Sequence, residues 1–367
     1  MDVKVCGYTM PMQERLRAWR DVMLLHERKL AAFGLFLGFL FDTVTANRPD
    51  QLYTNFIITA YFIIAAACIM LMTIRGKDGF LGPLPLITIV QFSFGNLTSA
   101  LLVLYGRSGT LVGSGIFIGA LIAFLIANEF LRDRYTRTHV QIATWFLLFL
   151  PYVAMVAPIL WGQFGDVVFL ASGITALTIT FTLVEVIRRV APRDIRLGLV
   201  RMTASIAAIY GIFTGMYFLN MLPPVPLSLT HIGIYHTLER TPEGNYAVSF
   251  ERAPWYEWWH DTNTVFHLEA GKPAYCFSSV FAPTGLSAPI FHRWEKRLDD
   301  GSWQTVTYLS FPINGGRDAG YRGYSQTFRT TIGEWRCSVE TERKTLVGRT
   351  NFVIVNTPPI ELFVREL

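Results

Sequence analysis

Long apolar runs fill the chain up to about Met221, and they limit its fold more than any other feature. A helix needs about 20 mostly apolar residues to cross a bilayer. Candidate stretches lie near Leu30–Ala46, Leu52–Ile74, Phe80–Tyr105, Leu111–Asn128, Val140–Trp161, Val167–Ile187 and Leu197–Met221. The sequence therefore predicts a polytopic α-helical membrane domain of about seven spans over residues 30–221. The first span is short and carries Asp42.

Basic residues in the loops predict how these spans are oriented. Residues 1–29 and the loops after the second, fourth and sixth spans are rich in Lys and Arg, whereas the alternate loops hold only Arg48 and Arg107. Positively charged loops stay on the cytoplasmic side of a membrane. We therefore expect a cytoplasmic N-terminus and an extracytoplasmic segment after the seventh span.

The first 29 residues are expected to form a cytoplasmic amphipathic segment. Met12, Leu16, Trp19 and Met23 recur at helical spacing, with arginines between them. This pattern is typical of a helix that lies on the membrane surface. A helix packed against other cytoplasmic loops would have the same pattern.

Deep polar groups would favour a transporter or a membrane-embedded enzyme, which is the alternative function. Ionisable residues inside spans usually mark ion or substrate paths. Here the acidic residues fall near span ends beside arginines, and the deep polar residues are Gln91 and Asn96. Buried amides more often form hydrogen bonds between helices. The sequence therefore favours binding or assembly over transport and catalysis.

Small residues four apart on two spans predict close helix packing. Such ridges let helix backbones approach each other. The residues that we expect at these contacts are Gly115, Gly119, Gly211 and Gly215.

After a Pro-rich linker over 222–230, the chain reads as an all-β sandwich domain over 231–367. It begins with a hairpin, "IGIYHTLER" and "NYAVSFER", and turn signals then recur every 8–12 residues. Cys276, Trp294 and Cys337 follow the order of an immunoglobulin-like core, in which a disulfide joins the two sheets beside a Trp. Two buried free thiols are the other interpretation of the cysteines.

The stretch "APWYEWWHDTN" is the most aromatic part of this domain. In a helix, Trp255, Trp258 and Trp259 would share one face. That face would pack the hairpin onto the sandwich, anchor at the headgroup layer, or stack on a ligand. We expect packing. If the face instead stacks on a ligand, Trp258 and Trp259 are the candidate binding residues.

A second candidate binding site is the stretch "GGRDAGYRGYS". Its glycines allow a turn, and Arg317, Arg322 and Tyr324 could line a loop at one end of the sandwich. The five histidines of the β segment lack the spacing of a metal motif. We expect no catalytic residues, metal or cofactor, and the balanced charge of residues 231–367 excludes a nucleic-acid partner.

Several stretches of the β segment resemble a known bacterial family. "YCFSSVFAP", "FHRWEK", "INGGRDAGYRGYSQ", "GEWRCSVET" and "GRTNFVI" are similar to domain of unknown function 2914. The resemblance implies an uncharacterised bacterial envelope protein and supplies no activity. Together with the spans and the basic loops, it predicts a protein of the bacterial inner membrane with its C-terminal domain periplasmic or extracellular. The expected partners are the lipid bilayer, an envelope glycan, lipid or protein, and a second copy of the chain in a homo-oligomer.

Overall fold

A computed structural model describes residues 43, 48–75, 84–257, 262–268, 271–317, 319–359 and 361–367. Six long helices come first in the described chain, and eleven strands follow them. The helices are α1 (Leu52–Arg75), α2 (Leu84–Ser108), α3 (Leu111–Phe130), α4 (Thr138–Trp161), α5 (Asp166–Val190) and α6 (Pro192–Phe218). All six are long and apolar enough to cross a membrane.

The described residues therefore contain six such helices, whereas the sequence predicts seven spans. The six correspond to the second to seventh predicted spans. The first, near Leu30–Ala46, lies outside the described residues except for Thr43, as does the amphipathic segment 1–29. The last helix begins at Pro192 rather than Leu197, because proline fits the first turn of a helix.

The deep amides of the helices form hydrogen bonds within the protein. The Gln91 amide nitrogen donates to the Asn128 carbonyl (3.1 Å), and the Asn128 amide nitrogen donates to the Gln91 carbonyl (3.1 Å). The Tyr135 hydroxyl donates to the Asn128 side-chain oxygen at 2.7 Å. The Asn96 amide nitrogen donates to the Phe92 carbonyl of its own helix at 2.8 Å. These bonds give the side-chain amides of Gln91 and Asn96 a structural role.

The predicted small-residue contacts are wrong. A Cβ atom added at any of the four glycines would meet no heavy atom within 4 Å, because these faces of α3 and α6 point away from neighbouring helices of the described chain. The residues concerned are Gly115, Gly119, Gly211 and Gly215. The two helices approach each other instead through the rings of Phe117 and Phe213, whose centroids are 6.0 Å apart.

Close packing occurs at a different glycine. A Cβ atom at Gly173 of α5 would lie 2.7 Å from the ring of Tyr210 on α6. We expect Gly173→Leu to destabilise the bundle by about 1–3 kcal/mol, since extra atoms in a packed interface force side chains and backbone to shift. Gly119→Leu is the matched control and should leave folded yield unchanged. The measurement is the monodisperse fraction after detergent extraction, and equal losses in the two variants would contradict the packing described here.

The strands form three sheets. Their bounds are β1 (Ser228–Tyr235), β2 (Thr237–Arg240), β3 (Tyr246–Phe250), β4 (Val265–His267), β5 (Ala274–Phe281), β6 (Ser287–Arg297), β7 (Trp303–Asn314), β8 (Tyr321–Thr327), β9 (Gly333–Thr341), β10 (Leu346–Val355) and β11 (Phe363–Glu366). Sheet I has the order β1-β5-β8, sheet II β4-β10-β9-β6-β7, and sheet III β11-β3-β2. The β4–β10 pair is parallel, and the other pairs are antiparallel.

Two details of the β segment differ from the sequence prediction. Strand β1 begins at Ser228, inside the stretch 222–230 that was expected to be a linker. The predicted hairpin is also divided between sheets: β2 pairs with β3, whereas β1 pairs with β5. The chain changes sheets at His236, and this break separates two alternating runs that look continuous in sequence.

Sheets I and II enclose the main core of the β segment. The prediction that a β-rich segment follows the helices is therefore confirmed. Trp335, Cys337 and Val339 are fully buried, as their alternation on β9 predicts. Sheet III covers the other side of sheet I. There Val248 and Phe250 pack against Tyr235 and Phe277. The third layer was not predicted.

The β segment packs directly on one end of the helices. Arg343, in the turn between β9 and β10, forms an ion pair with Asp166 at the start of α5 and lies 4.5 Å from the centroid of the Tyr217 ring. The Thr345 hydroxyl donates to the Asn220 side-chain oxygen at 3.0 Å. The sandwich is therefore docked on the helices rather than tethered by a free linker.

Candidate binding cleft in the β segment

The Trp-rich stretch begins with exposed aromatic side chains. Pro254 precedes a single 3₁₀ turn over Trp255–Glu257 instead of an α-helix. Trp255 is 88% exposed and Tyr256 is 57% exposed, so Trp255 does not pack the hairpin onto the sandwich as expected. Trp258 and Trp259 lie outside the described residues.

A hydrogen-bonded cluster joins the two ends of this stretch. The carboxylate of Glu251 is bonded to His236 Nε2 at 2.8 Å and to His267 Nδ1 at 2.6 Å. The backbone N–H of Asn263 donates to the Glu251 carbonyl at 2.8 Å. Burial would raise the pKa of Glu251, but the histidine hydrogen bonds outweigh that effect and lower it. The cluster therefore ties β3, β4 and the β1–β2 junction together beneath the aromatic stretch.

The second predicted site does not form one ligand-binding loop. Tyr321–Thr327 is strand β8, and its Arg322 guanidinium donates to the side-chain oxygen of Asn245 at 2.7 Å. Tyr324 lies beside the rings of Tyr246 and Tyr275. Hydrogen bonds and ring contacts within the β segment thus engage Arg322 and Tyr324.

The remaining part of that stretch is shaped by close backbone packing. Arg317 is exposed, and its guanidinium lies 5.8 Å from the centroid of the Tyr321 ring. A Cβ atom at Gly315 would clash with the Pro283 carbonyl, and one at Gly320 would lie 2.6 Å from Ser279 Oγ. Gly320 also has a φ of +83°, which favours glycine. These glycines therefore serve packing.

The two cysteines of the β segment form a disulfide between sheets I and II. Cys276 lies on β5 and Cys337 on β9. Trp294 on β6 is directly opposite Cys337 in the strand register and fully buried. An indole therefore packs beside a bond that joins two sheets.

A buried histidine lies in the same core. His292 Nε2 is hydrogen-bonded to Ser278 Oγ at 2.7 Å, and His292 Nδ1 to Ser325 Oγ at 2.9 Å. Ser325 Oγ also accepts from the Trp294 indole N–H at 2.8 Å. Burial lowers the pKa of His292 to about 3, so its imidazole is neutral near pH 7.

The residue types of this core group are those of a metal site and of a Ser–His catalytic pair, but their bonding and burial are not. Donor atoms of Cys276, His292 and Cys337 lie within 4.8 Å of one another. However, the sulfurs are bonded to each other, and serine hydroxyls engage both imidazole nitrogens. Ser278 and His292 are also fully buried, so a substrate cannot reach this Ser–His pair.

Charged side chains cover the outward face of sheet II. Arg293 forms an ion pair with Glu340, and Arg336 donates to both carboxylate oxygens of Glu295 at 2.5 and 3.0 Å. Arg349 has a different environment, because its Nε donates to the neutral hydroxyl of Ser338 at 2.9 Å. Burial and the nearby Arg336 charge lower the pKa of Arg349, but a guanidinium remains protonated at neutral pH.

An open cleft of about 770 Å³ lies beside this face. It extends from Trp303 on β7 across the β9–β10 region to β1 and the residues before β4. The polar residues that line it are Arg349, Asn351, Thr350, Thr230, Thr262, Thr264, His231, Arg297 and Glu334. Its volume falls in the range of small-ligand sites, which is about 300–1,000 Å³. The cleft is therefore our candidate functional site.

Its charge comes mainly from one side chain. Arg297 also lines the cleft, but it is paired with Glu334 at 2.7 Å. Within the described parts of the chain, no carboxylate lies within ion-pair distance of Arg349. The cleft thus combines one guanidinium that forms no ion pair with hydroxyl and amide groups.

Part of the wall of this cleft, from β7, β9 and β10, lies in the segment that matches a known family. Residues 287–354 match the model of DUF2914, a protein family of unknown function. The DUF2914 segment runs from β6 to β10 and includes Trp294, Cys337 and Arg349. Cys276 and sheet III lie outside it. The match confirms the resemblance seen in the sequence and assigns no activity.

Other comparisons add nothing on function. No curated protein matches the chain. Among solved structures, the chain matches Pseudomonas fluorescens alkylpurine DNA glycosylase AlkC bound to DNA containing an abasic site analog with a TM-score of only 0.21 and 10% identity. That alignment covers 84% of this chain and 99% of the other. So low a TM-score supports no argument about fold or function.

Sequence reasoning missed Arg349, Asn351 and Trp303. A signal for the first two exists in "GRTNFVIV", since Phe352 and Ile354 point into the core and Arg349 and Asn351 have the opposite parity. An arginine on that outward face could have been noted. The cleft itself depends on β1 and on the residues before β4, which are remote in sequence.

Proposed function

We propose that the chain is an integral protein of a bacterial cytoplasmic membrane that displays its β segment outside the cell or in the periplasm as a binding module. This proposal rests on one observation: the β segment contacts the helix ends whose loops contain few basic residues. A Cβ atom at Gly113, at the start of α3, would lie 3.4 Å from the Cβ of Leu346 on β10, and one at Gly162, between α4 and α5, would lie 3.0 Å from the Gly285 carbonyl oxygen. These loops are poor in Lys and Arg.

The opposite helix ends are the basic ones. Arg134 and Arg137 lie between α3 and α4, and Arg188 and Arg189 end α5. Because basic loops remain cytoplasmic, the docked β segment belongs on the other side. Packing identifies the helix ends that contact the β segment, and the loop charges then support one orientation for them.

An immunoglobulin-like core is part of the proposal. It is supported by the disulfide between sheets I and II and by Trp294 opposite Cys337. Sheet III is an addition to that pattern. Loops and clefts on a rigid sandwich are common binding sites, which favours binding or assembly over catalysis.

Paired reporter fusions test the orientation. Alkaline phosphatase, which folds only outside the cytoplasm, should be active after Leu367 and inactive when the chain is truncated and fused after Ala191. Green fluorescent protein should give the reverse result at both positions. Fluorescence of the fusion after Leu367 would contradict the proposed orientation.

A further inference from the structure

We infer that the cleft beside β10 binds an acidic oligosaccharide, with Arg349 as the group that recognises its carboxylate. This inference deepens the proposed function, because it specifies what the binding module would hold. Three features of the cleft carry it: its unpaired cation, its neutral polar lining and the short open edge of β10.

The cation selects an acidic ligand. Arg293 and Arg336 are paired with Glu340 and Glu295, and Arg297 is paired with Glu334. Arg349 is bonded only to the hydroxyl of Ser338 among the described partners and forms no ion pair. Glu295 and Glu340 act on its charge from a distance, but each is paired with another arginine, so this cluster keeps one positive charge in excess. A guanidinium binds a carboxylate through two parallel hydrogen bonds. A ligand without negative charge would leave that capacity unused.

The neutral lining matches a polyhydroxylated ligand. Thr230, Thr262 and Thr350 supply hydroxyls that both donate and accept, and the Asn351 amide does the same with separate atoms. The Thr264 hydroxyl donates to the Glu257 carboxylate at 3.1 Å and is left as an acceptor. Sugar hydroxyls also need both kinds of partner. Trp303, which is half-buried, adds an apolar surface at the far side of the cleft. The Arg336 guanidinium lies 4.1 Å from the centroid of its ring and covers one face, so the C–H face of a sugar ring would pack on the other.

The β10 edge adds fixed backbone groups. The Val353 N–H donates to the Thr264 carbonyl at 2.8 Å, which shows that Val353 points its backbone groups toward the β4 side. Backbone direction alternates along a strand, so Arg349 and Asn351 point the same way. Strand β4 pairs only with residues 353–355 of β10. The backbone groups of Arg349 and Asn351 therefore face the cleft without a strand partner in the described chain.

This edge is too short to favour an added peptide strand. Leu229 on β1 lies directly over Gly348, where a Cβ atom would be 2.1 Å from the leucine side chain. Only residues 349–352 remain open between that contact and β4. Four residues span about 13 Å, whereas natural strands usually have about 5–6 residues. A short sugar chain fits this opening better than a β-strand does.

Binding to the full chain in lipid nanodiscs tests the inference, with both faces of the membrane accessible. The acidic probe is a hyaluronan tetrasaccharide, which alternates glucuronate with N-acetylglucosamine. The neutral probe is tetra-N-acetylchitotetraose (chitotetraose below), which lacks the acid and carries no free amine. We expect tighter binding of the acidic probe. Arg349→Met should weaken it by about tenfold or more, because charged hydrogen bonds contribute that much, and should leave chitotetraose binding unchanged.

Further variants separate recognition from folding. Trp303→Ala should weaken both probes, and Asn351→Ala should do the same without altering the preference for the acid. Arg329→Ala, at an exposed arginine outside the cleft, is the charge-matched control and should change neither. Unfolding midpoints equal to that of the unmodified chain would show that each variant is folded.

Several results would overturn the inference. These are equal affinity of the unmodified chain for the two probes, failure to bind either, and unchanged acidic binding in folded Arg349→Met. Tighter binding of a poly-glutamate peptide, lost in Asn351→Pro, would assign the edge to a peptide instead. Because nanodiscs expose both faces, these failures are distinct from a failure of the reporter fusions, which would reject the proposed orientation.

Discussion

Replacing Cys276 and Cys337 together by alanine is expected to lower the free energy of unfolding of the β segment by about 4 kcal/mol. The bond closes a loop with a sequence separation of 61 residues, and a cross-link of that length strongly restricts the unfolded chain. It also joins sheets I and II beside the buried Trp294. Loss of the bond should therefore affect the whole sandwich rather than one loop.

Urea unfolding of the full chain in detergent measures this effect. Tryptophan fluorescence reports on the β segment because Trp294 and Trp335 become exposed when its core opens. Cys68→Ala is the control, since Cys68 is a free buried cysteine in α1 and belongs to no cross-link. An unchanged midpoint in the double variant would contradict the prediction. So would alkylation of both cysteines in denatured, unreduced protein.

Membrane-length helices and core-facing strand residues could be predicted because local patterns determine them. A run of about 20 apolar residues has few stable alternatives to a spanning helix. Period-two alternation similarly placed Trp335, Cys337 and Val339 in the core. Both patterns are contained within one element, so neither requires knowledge of its neighbours.

Helix packing could not be predicted from the same kind of pattern. Gly119 and Gly173 are both helical glycines, but only Gly173 meets a neighbouring side chain. The difference depends on how each helix is rotated within the bundle. Nothing in the spacing of small residues specifies that rotation, which is why the expected contacts at Gly119 and Gly211 were wrong.

The candidate site could not be predicted from the sequence either, because it also depends on how distant elements pack. Arg322 and Tyr324 looked available for a ligand, but sheet III brings Asn245 and Tyr246 against them. The sequence gives no sign that Arg349 is available, because this depends on the pairing of the nearby carboxylates with other arginines. In both cases the availability of a side chain is decided by strands distant in sequence.

The second large effect is a loss of stability that we expect when the pH is lowered. His292 has a pKa of about 3 in the folded protein and about 6.5 when exposed. The unfolded chain therefore binds a proton that the folded chain excludes as the pH falls below 6.5. The stabilisation from neutral His292 is complete above pH 6.5 and is lost progressively between pH 6.5 and 3.

Between pH 7.5 and 5.0, this linkage should remove about 2 kcal/mol from the free energy of unfolding, since each pH unit below 6.5 costs about 1.4 kcal/mol. His292→Gln is the informative variant, because glutamine retains a hydrogen-bond donor and acceptor for Ser278 and Ser325 but does not titrate. Urea unfolding at both pH values should show a pH-dependent loss about 2 kcal/mol smaller in the variant than in the unmodified protein. Other titrating groups, including Glu251 and Glu340, are common to both proteins and cancel in this difference. The same pH dependence in both would mean that His292 is already protonated, or reached by water, in the folded core.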